Sequence, residues 1–233
     1  MKTQIKAKFE RFHSTYERYA WVQKETAKVI GKHNFQGLGL DLGCGTGFLS
    51  EEVKRSYNFL IGVDLSYHMI KIYKDKGFKG VNADIENLPF KNESFDFAVS
   101  NFSLHWTNLV VSLKEIYRVI KKGGILSFSV PIKGSLEEVH LTVGRTFNFP
   151  DIKDISRLLL SSGFYIEAYD TKDYKLYFED GVQLIKYFKY TGTALNKQSK
   201  SIYQKLQNYR KLKKQKNIET GFKVAFFQAK KPF

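Results

Sequence analysis

The sequence predicts an α/β fold in which a central, mostly parallel seven-stranded sheet carries helices on both faces and a helical lid. Three observations lead there. Seven strand-like runs alternate with helical patterns along most of the chain, the order that builds a parallel sheet with covered faces. An apolar run, Leu38, Leu40 and Leu42, feeds directly into the glycine turn Gly43-Cys44-Gly45-Thr46-Gly47. Acids then stand at the ends of the runs that follow, Asp64 after one and Asp84 after the next.

Taken in order, residues 14–30 read as one amphipathic helix, with Tyr16, Tyr19, Ala20, Gln23, Ala27 and Ile30 at three- and four-residue steps. Strands are expected at 37–42, 59–64, 79–82, 95–100, 125–131, 165–174 and 222–229. Helical patterns at 47–55, 67–74, 109–120, 152–162 and 180–190 separate most of them. Two segments fall outside the alternation: 132–151, with a helical piece near 135–144, and the polar, basic 191–217, with a helix around 202–212. With only four prolines no linker announces a boundary, so the chain reads as one domain over 1–233. Within it, 1–35 forms an N-terminal helix and lid, 36–131 the cofactor-binding core, and 132–151 with 191–217 the lid and substrate segments.

Composition bounds the rest. A chain of 233 residues that is 42% hydrophobic and 26% charged can bury a full core, which excludes a disordered chain; 15% aromatic content suits an aromatic-lined cavity. The opening residues lack the apolar core of a secretory signal, and no stretch approaches the roughly 20 apolar residues of a membrane span, so no membrane partner is expected. Cys44 is the single cysteine, which forbids an intrachain disulfide and makes a reducing cytoplasm the expected compartment. With no histidine near it in sequence it makes no dyad and reads as a small loop residue.

The formal charge of +15 implies an acidic partner or substrate without saying which. Between residues 196 and 217 lie eight lysines and arginines and no acid, among them Arg210, Lys211, Lys213 and Lys214. The first thirty-five residues are also basic. A solvated helix face is the plain alternative to a docking surface.

The glycine turn has the chemistry of a nucleotide cradle. Glycines let the backbone approach a ligand or adopt positive φ, and the helix opening near Thr46 presents free N–H groups. Its spacing discriminates. A dinucleotide fingerprint starting at Gly43 needs glycine at position 48, where Phe48 stands. The chain has instead G-x-G-x-G preceded by Asp41. Asp64 ends the apolar run FLIGVD, seventeen residues after Gly47, and Asp84-Ile85-Glu86 follows the next strand-like run in VNADIENLPF.

Together DLGCGTG, VDLSYHMI, ADIENLPF and FDFAVSNFSLHW resemble the Rossmann-like class I S-adenosylmethionine-dependent methyltransferases over residues 39–131. The flanking segments TYERYAWVQ, EIYRVIKKGG, GSLEEVH, KYTGTALN and ETGFKVAFFQAKKP extend the resemblance to the biotin-pathway malonyl-acyl-carrier-protein O-methyltransferases along nearly the whole length. The resemblance implies S-adenosyl-L-methionine as cofactor and S-adenosyl-L-homocysteine as product. It implies that Asp64 accepts hydrogen bonds from the ribose hydroxyls, that Asp84 and Glu86 face the adenine amino group, and that Asp41 sits under the loop. Gly43, Cys44, Gly45, Gly47, Leu65, Ile85 and Ser100 would complete the cofactor site, and Asn101, Phe102, His105 and Trp106 the substrate pocket. Family members often carry glutamine and cysteine where this chain has His105 and Thr107.

Methyl transfer from a sulfonium needs in-line positioning more than acid catalysis. The free carboxylate of a malonyl thioester is ionised at pH 7, so it needs no general base, and no His/Asp/Ser relay stands out. The fourth-strand exit, Ser100-Asn101-Phe102-Ser103, lacks the Asn/Asp-Pro-Pro-aromatic pattern of many amino-group methyltransferases. Pro131 and Lys133 stand where metal-dependent catechol-type enzymes place acids, so no metal is expected. Tyr16 is the candidate for closing over the cofactor with its hydroxyl, and Arg145 for pairing bidentately with a carboxylate. The expected partner is an acidic acyl carrier protein carrying a malonyl thioester, steered by Arg210, Lys211, Lys213 and Lys214 to a monomeric enzyme. Two other enzyme readings stay open: a small-metabolite acceptor such as a quinone precursor, and RNA, against which stands the lack of any RNP1-like stacking motif, so that no nucleic acid is expected. A non-catalytic cofactor-binding or carrier-docking protein is the reading from another class.

Overall fold

The structure, a computed structural model, describes residues 2–53, 59–143, 148–191 and 202–233. Helices α1 (Lys2–Tyr19) and α2 (Trp21–Ile30) lead into β1 (Leu38–Leu42), α3 (Phe48–Val53), β2 (Phe59–Asp64), α4 (Tyr67–Asp75) and β3 (Lys79–Asn82). The second half runs β4 (Phe95–Asn101), α5 (Leu109–Val119), β5 (Ile120–Pro131), α6 (Glu137–Val143), α7 (Ile152–Ser161), β6 (Tyr165–Asp180), α8 (Gly181–Tyr190), α9 (Ile202–Lys214) and β7 (Lys216–Lys230). A short 3-10 turn, Leu104–Trp106, follows β4.

The seven strands form one sheet in the order β3-β2-β1-β4-β5-β7-β6. β1 to β5 pair in parallel, and β7 enters antiparallel between β5 and β6. The chain winds outward from β1 to β3 and then returns to place β4 on the other side of β1. That reversal opens a crevice beyond the carboxyl ends of β1 and β4, where ligands of doubly wound sheets bind.

Period-two alternation divides the core between the two faces. Phe97 and Val99 of β4 pack with Val22, Ala27 and Ile30 of α2 and with Leu49 of α3. Ala98, between them, faces Leu113 and Ile116 of α5 together with Ile155 and Leu159 of α7. Each fully buried side chain of this size contributes about 1.5–3 kcal/mol. Helix starts carry side-chain caps: Ser66, at the crevice, accepts from the Met69 amide at 3.4 Å, and Asp180, at the start of α8, from those of Val182 and Gln183 at 2.9 and 3.0 Å.

The largest departures from the expected boundaries are at the N-terminal helix, β5, β6 and β7. The single helix expected over 14–30 is two helices, bent at Ala20, whose ψ is 45°. Ala20 is fully buried, and the bend aims α1 across the crevice while α2 stays on the sheet; neither proline nor glycine marks it. β5 begins at Ile120, directly after α5, with an irregular register against β4 between Phe95 and Phe97. β6 and β7 overrun their expected limits, pairing outward from Tyr174↔Phe222 to Asp180↔Lys216. In the overrun Tyr174, Leu176 and Ile218 turn inward against Leu184 of α8 and Leu212 of α9, while Lys175 and Tyr177 face solvent. Strands this rich in charge become half-buried only because two helices fold back on them.

Candidate active site

The glycine turn crosses the ends of β1 and β2. Gly43, Gly45 and Gly47 have φ of 72°, 52° and 99°, the left-handed region that a side chain resists. The amides of Gly43 and Cys44 both donate to the Val63 carbonyl, at 2.7 and 3.0 Å, which ties the turn to β2. At Gly43 a Cβ would also collide with the Ser103 side chain. Asp64, at the end of β2, accepts from the Gly45 amide on one oxygen (3.0 Å) and from the Ser66 amide on the other (2.8 Å). Burial pushes its carboxyl up to about 6, and those two N–H donors hold it from rising further.

This turn floors a concave cleft between the strand ends and α1, the kind of place where small molecules bind. Gly43, Gly45, Asp64 and Leu65 form one wall, Asp84, Ile85 and Glu86 a second, and Asn101, Phe102 and Trp106 a third; Phe9 and Tyr16 of α1 close the top. Asp84 turns its own loop by accepting from the Glu86 amide at 2.9 Å, and Glu86 accepts from the Asn108 amide at 2.8 Å. A protein of charge +15 thus presents three carboxylates at this cleft, so the local field favours a cation.

Four of the expected cofactor residues shape the cleft from behind and do not line it. Asp41 is buried, accepting from Ser50 Oγ at 2.6 Å, and Ser50 in turn meets the Tyr73 hydroxyl at 2.6 Å. Burial pushes the Asp41 carboxyl up to about 7, against the Ser50 hydrogen bond that lowers it. The Cys44 side chain packs with Ile70 and Tyr73; burial, then the charges of Asp41 and Asp64, push its thiol up, so it stays protonated. Gly47 faces Phe78 and Tyr73, and Ser100 donates to the Leu42 carbonyl at 2.8 Å, locking β4 to β1.

A second, much narrower chamber shares Phe9, Tyr16, Phe102 and Trp106 with the cleft and adds His105, Gln23, Thr191, Phe149 and Phe222. Phe102 stands between the two with φ 53°, a left-handed backbone costing about 1–2 kcal/mol outside glycine. Its amide donates to the Ser129 carbonyl at 3.1 Å, and its ring meets His105 and Phe222 edge-on at 5.8 and 5.5 Å. Tyr16 stacks on Phe48 at 5.9 Å. Burial, then the charges of Asp64 and Glu17, push its phenol up, so the hydroxyl remains a donor at neutral pH. Arg145 lies outside the described residues. Arg210, Lys211, Lys213 and Lys214 are exposed on the last turn of α9.

Phe9, Ser66, Met69 and Ala83 also line the cleft and were not singled out in the sequence, and Ser103 and Thr107, noted there without a site role, line it too. Ser66, a helix cap two residues after Asp64, carried a readable signal. Phe9 carried none, because its helix reaches the cleft through the bend at Ala20.

The arrangement fits adenosylmethionine. Asp64 is a desolvated carboxylate at the cleft, the Gly43 position admits no side chain, and the surrounding acids suit a sulfonium and an ammonium group. Residues 40–128 match the family model described as methyltransferase domain. The fold is similar to a methyltransferase structure from Bacillus halodurans, with a TM-score of 0.65 over 90% of this chain and 99% of that one at 17% identity. The chain belongs to the class I S-adenosylmethionine-dependent methyltransferases.

Two curated relatives place it more closely. A malonyl-acyl-carrier-protein O-methyltransferase from Hamiltonella defensa is 36% identical over 148 residues, 59% of this chain and 56% of that protein. One from a Methylovorus strain is 30% identical over 219 residues, 82% of this chain and 73% of that protein. The chain belongs to the family that contains these O-methyltransferases. It spans little more than half the length of the first of them.

Proposed function

We propose that this enzyme methylates the free carboxylate of a malonyl thioester carried on acyl carrier protein, producing the methyl ester that opens pimeloyl synthesis for biotin. The similarity to the Methylovorus enzyme, extending over 219 residues and well beyond the cofactor-binding core, carries the reading. Asp64 would hold the ribose hydroxyls, Asp84 and Glu86 the adenine side, and the Gly43–Gly47 turn the methionine end. Bound adenosylmethionine would supply a methyl on a sulfonium, so that transfer to a carboxylate oxygen would exchange an S–C bond for an O–C bond, release a neutral thioether and require no proton movement.

The remaining work falls to the chain. The aromatic chamber strips water from the acceptor, which strengthens every electrostatic contact inside it. Tyr16 offers a neutral hydroxyl to one carboxylate oxygen, and Arg145 is the proposed clamp from the segment following α6. Tyr16→Phe and Arg145→Ala are each expected to lower turnover.

The deciding experiment is transfer of labelled methyl to malonyl-carrier protein, with malonyl-coenzyme A, a panel of quinone precursors and tRNA as comparators. Preference for the malonyl carrier supports the reading; labelling of tRNA or a quinone precursor in its place would overturn it. The compartment that suits this substrate is the cytoplasm. Among the described residues no helix is long and apolar enough to cross a membrane.

A further inference from the structure

One side chain in the second chamber has a buried hydrogen-bonding atom with nothing to bond. Gln23 of α2 is 5% exposed, lines the chamber, and its Oε1 has no hydrogen-bond partner among the described residues. An unpaired buried amide oxygen costs about 1–3 kcal/mol, which a structural residue at this position would avoid by being leucine or methionine.

The residue is also held unusually well at its backbone. Its carbonyl accepts from Asn101 Nδ2 at 2.7 Å and from Thr26 Oγ1 at 3.1 Å. Asn101 is fixed in turn, accepting from Ser129 Oγ at 2.6 Å. A chain of hydrogen bonds from β5 through the end of β4 therefore sets the position of Gln23, while its amide is left for something that is not part of the protein. Pre-organised polar groups of this kind orient a ligand because little entropy is lost when they bind it. Apart from Gln23, the chamber is mostly aromatic, and no lysine or arginine lines it among the described residues.

We propose that Gln23 orients the acceptor: its amide, swivelled about its terminal torsion, donates N–H to the carboxylate oxygen that is not methylated, while Tyr16 lines the same chamber. The assignment rests on the carboxylate-acceptor reading above. Pairing a neutral amide, and not a cation, with the spare oxygen leaves the carboxylate's charge to be neutralised by the methyl-bearing sulfonium, which favours the reacting geometry over a resting ion pair.

Two substitutions of matched length test it. Gln23→Met deletes the amide and keeps the shape; Gln23→Glu puts a second carboxylate against the acceptor. Each is assayed for kcat/KM with malonyl-carrier protein, for affinity toward adenosylhomocysteine by calorimetry, and for melting temperature. The expected result is a loss of 10- to 100-fold in kcat/KM for Gln23→Met, the range for a hydrogen bond to a charged group, and a larger loss for Gln23→Glu. Adenosylhomocysteine affinity should stay within twofold in both. A Gln23→Met enzyme within twofold of the unsubstituted one, or a Gln23→Glu enzyme as active as it, overturns the proposal. So does a parallel loss of adenosylhomocysteine affinity, which would assign Gln23 to the cofactor or to folding. An unsubstituted enzyme that does not methylate malonyl-carrier protein overturns the carboxylate reading itself, whereas an active one with indifferent Gln23 variants overturns only the role of Gln23.

Discussion

Two aspartates of the same sheet edge separate into different tasks through their surroundings. Asp64 lies at the cleft with a carboxyl raised to about 6 by burial. Below that pH it is protonated and no longer an acceptor on both oxygens, so adenosylhomocysteine affinity should be flat above pH 6 and fall toward tenfold per unit beneath it. Asp64→Asn should weaken binding and remove that dependence; calorimetry across pH 5–8 reads both. Asp41 is raised from an ordinary 3.8 to about 7, so between those values the folded state holds a proton that the unfolded chain has lost. Stability from this group is thus greatest at low pH and falls as pH rises, with a ceiling of about 4 kcal/mol at 1.36 kcal/mol per unit. Asp41→Asn mimics the protonated acid and should raise the melting temperature at pH 8 while changing it little at pH 4; equal shifts at both would contradict this account.

At the scale of elements, the closure of the cleft depends on how α1 is pinned. Lys76, directly after α4, reaches Glu17 of α1 at 2.7 Å and Glu51 of α3 at 2.8 Å, beside the Tyr16–Phe48 stack. Partly exposed pairs of this kind are worth about 0.2–1 kcal/mol each, too little to govern folding but enough to bias the position of a lid. Lys76→Met should therefore leave the melting temperature within about two degrees and weaken adenosylhomocysteine binding a few-fold, with the loss shrinking in high salt as the intact pair is itself screened. The bend at Ala20 shows why this lid was only partly legible: the apolar spacing of 14–30 is continuous through it, and only packing against the sheet makes the helix turn.

Over the whole molecule, charge and cleft sit apart. The last turn of α9 abuts the start of α8, where the Gly181 amide donates to the Gln215 carbonyl at 3.2 Å, while the far end of α8 carries Tyr190, stacked on Tyr19, and Thr191 at the second chamber. The ten residues of α8 put roughly 15 Å between the basic turn and the chamber at 1.5 Å per residue. A carrier that presents its thioester on a long flexible arm spans such a distance; a small acceptor gains nothing from it. Reversing the charges of Arg210, Lys211, Lys213 and Lys214 should raise KM for malonyl-carrier protein at low salt and leave a malonyl-coenzyme A reaction nearly unchanged, and equal effects on both would remove the docking role. The strand and helix sequence, the glycine turn and the acids at Asp64, Asp84 and Glu86 were determined by local pattern alone, because turn geometry, hydrophobic periodicity and strand-end chemistry act over a few residues. What only the tertiary structure decided is which residues meet across long separations: Phe9 and Tyr16 over the cleft, Phe102 between two cavities, β6 and β7 extended by helices that fold back, and the unpaired amide of Gln23. Those placements follow from the helix bend, the sheet's reversal and the packing of distant segments, none of which a local spacing encodes.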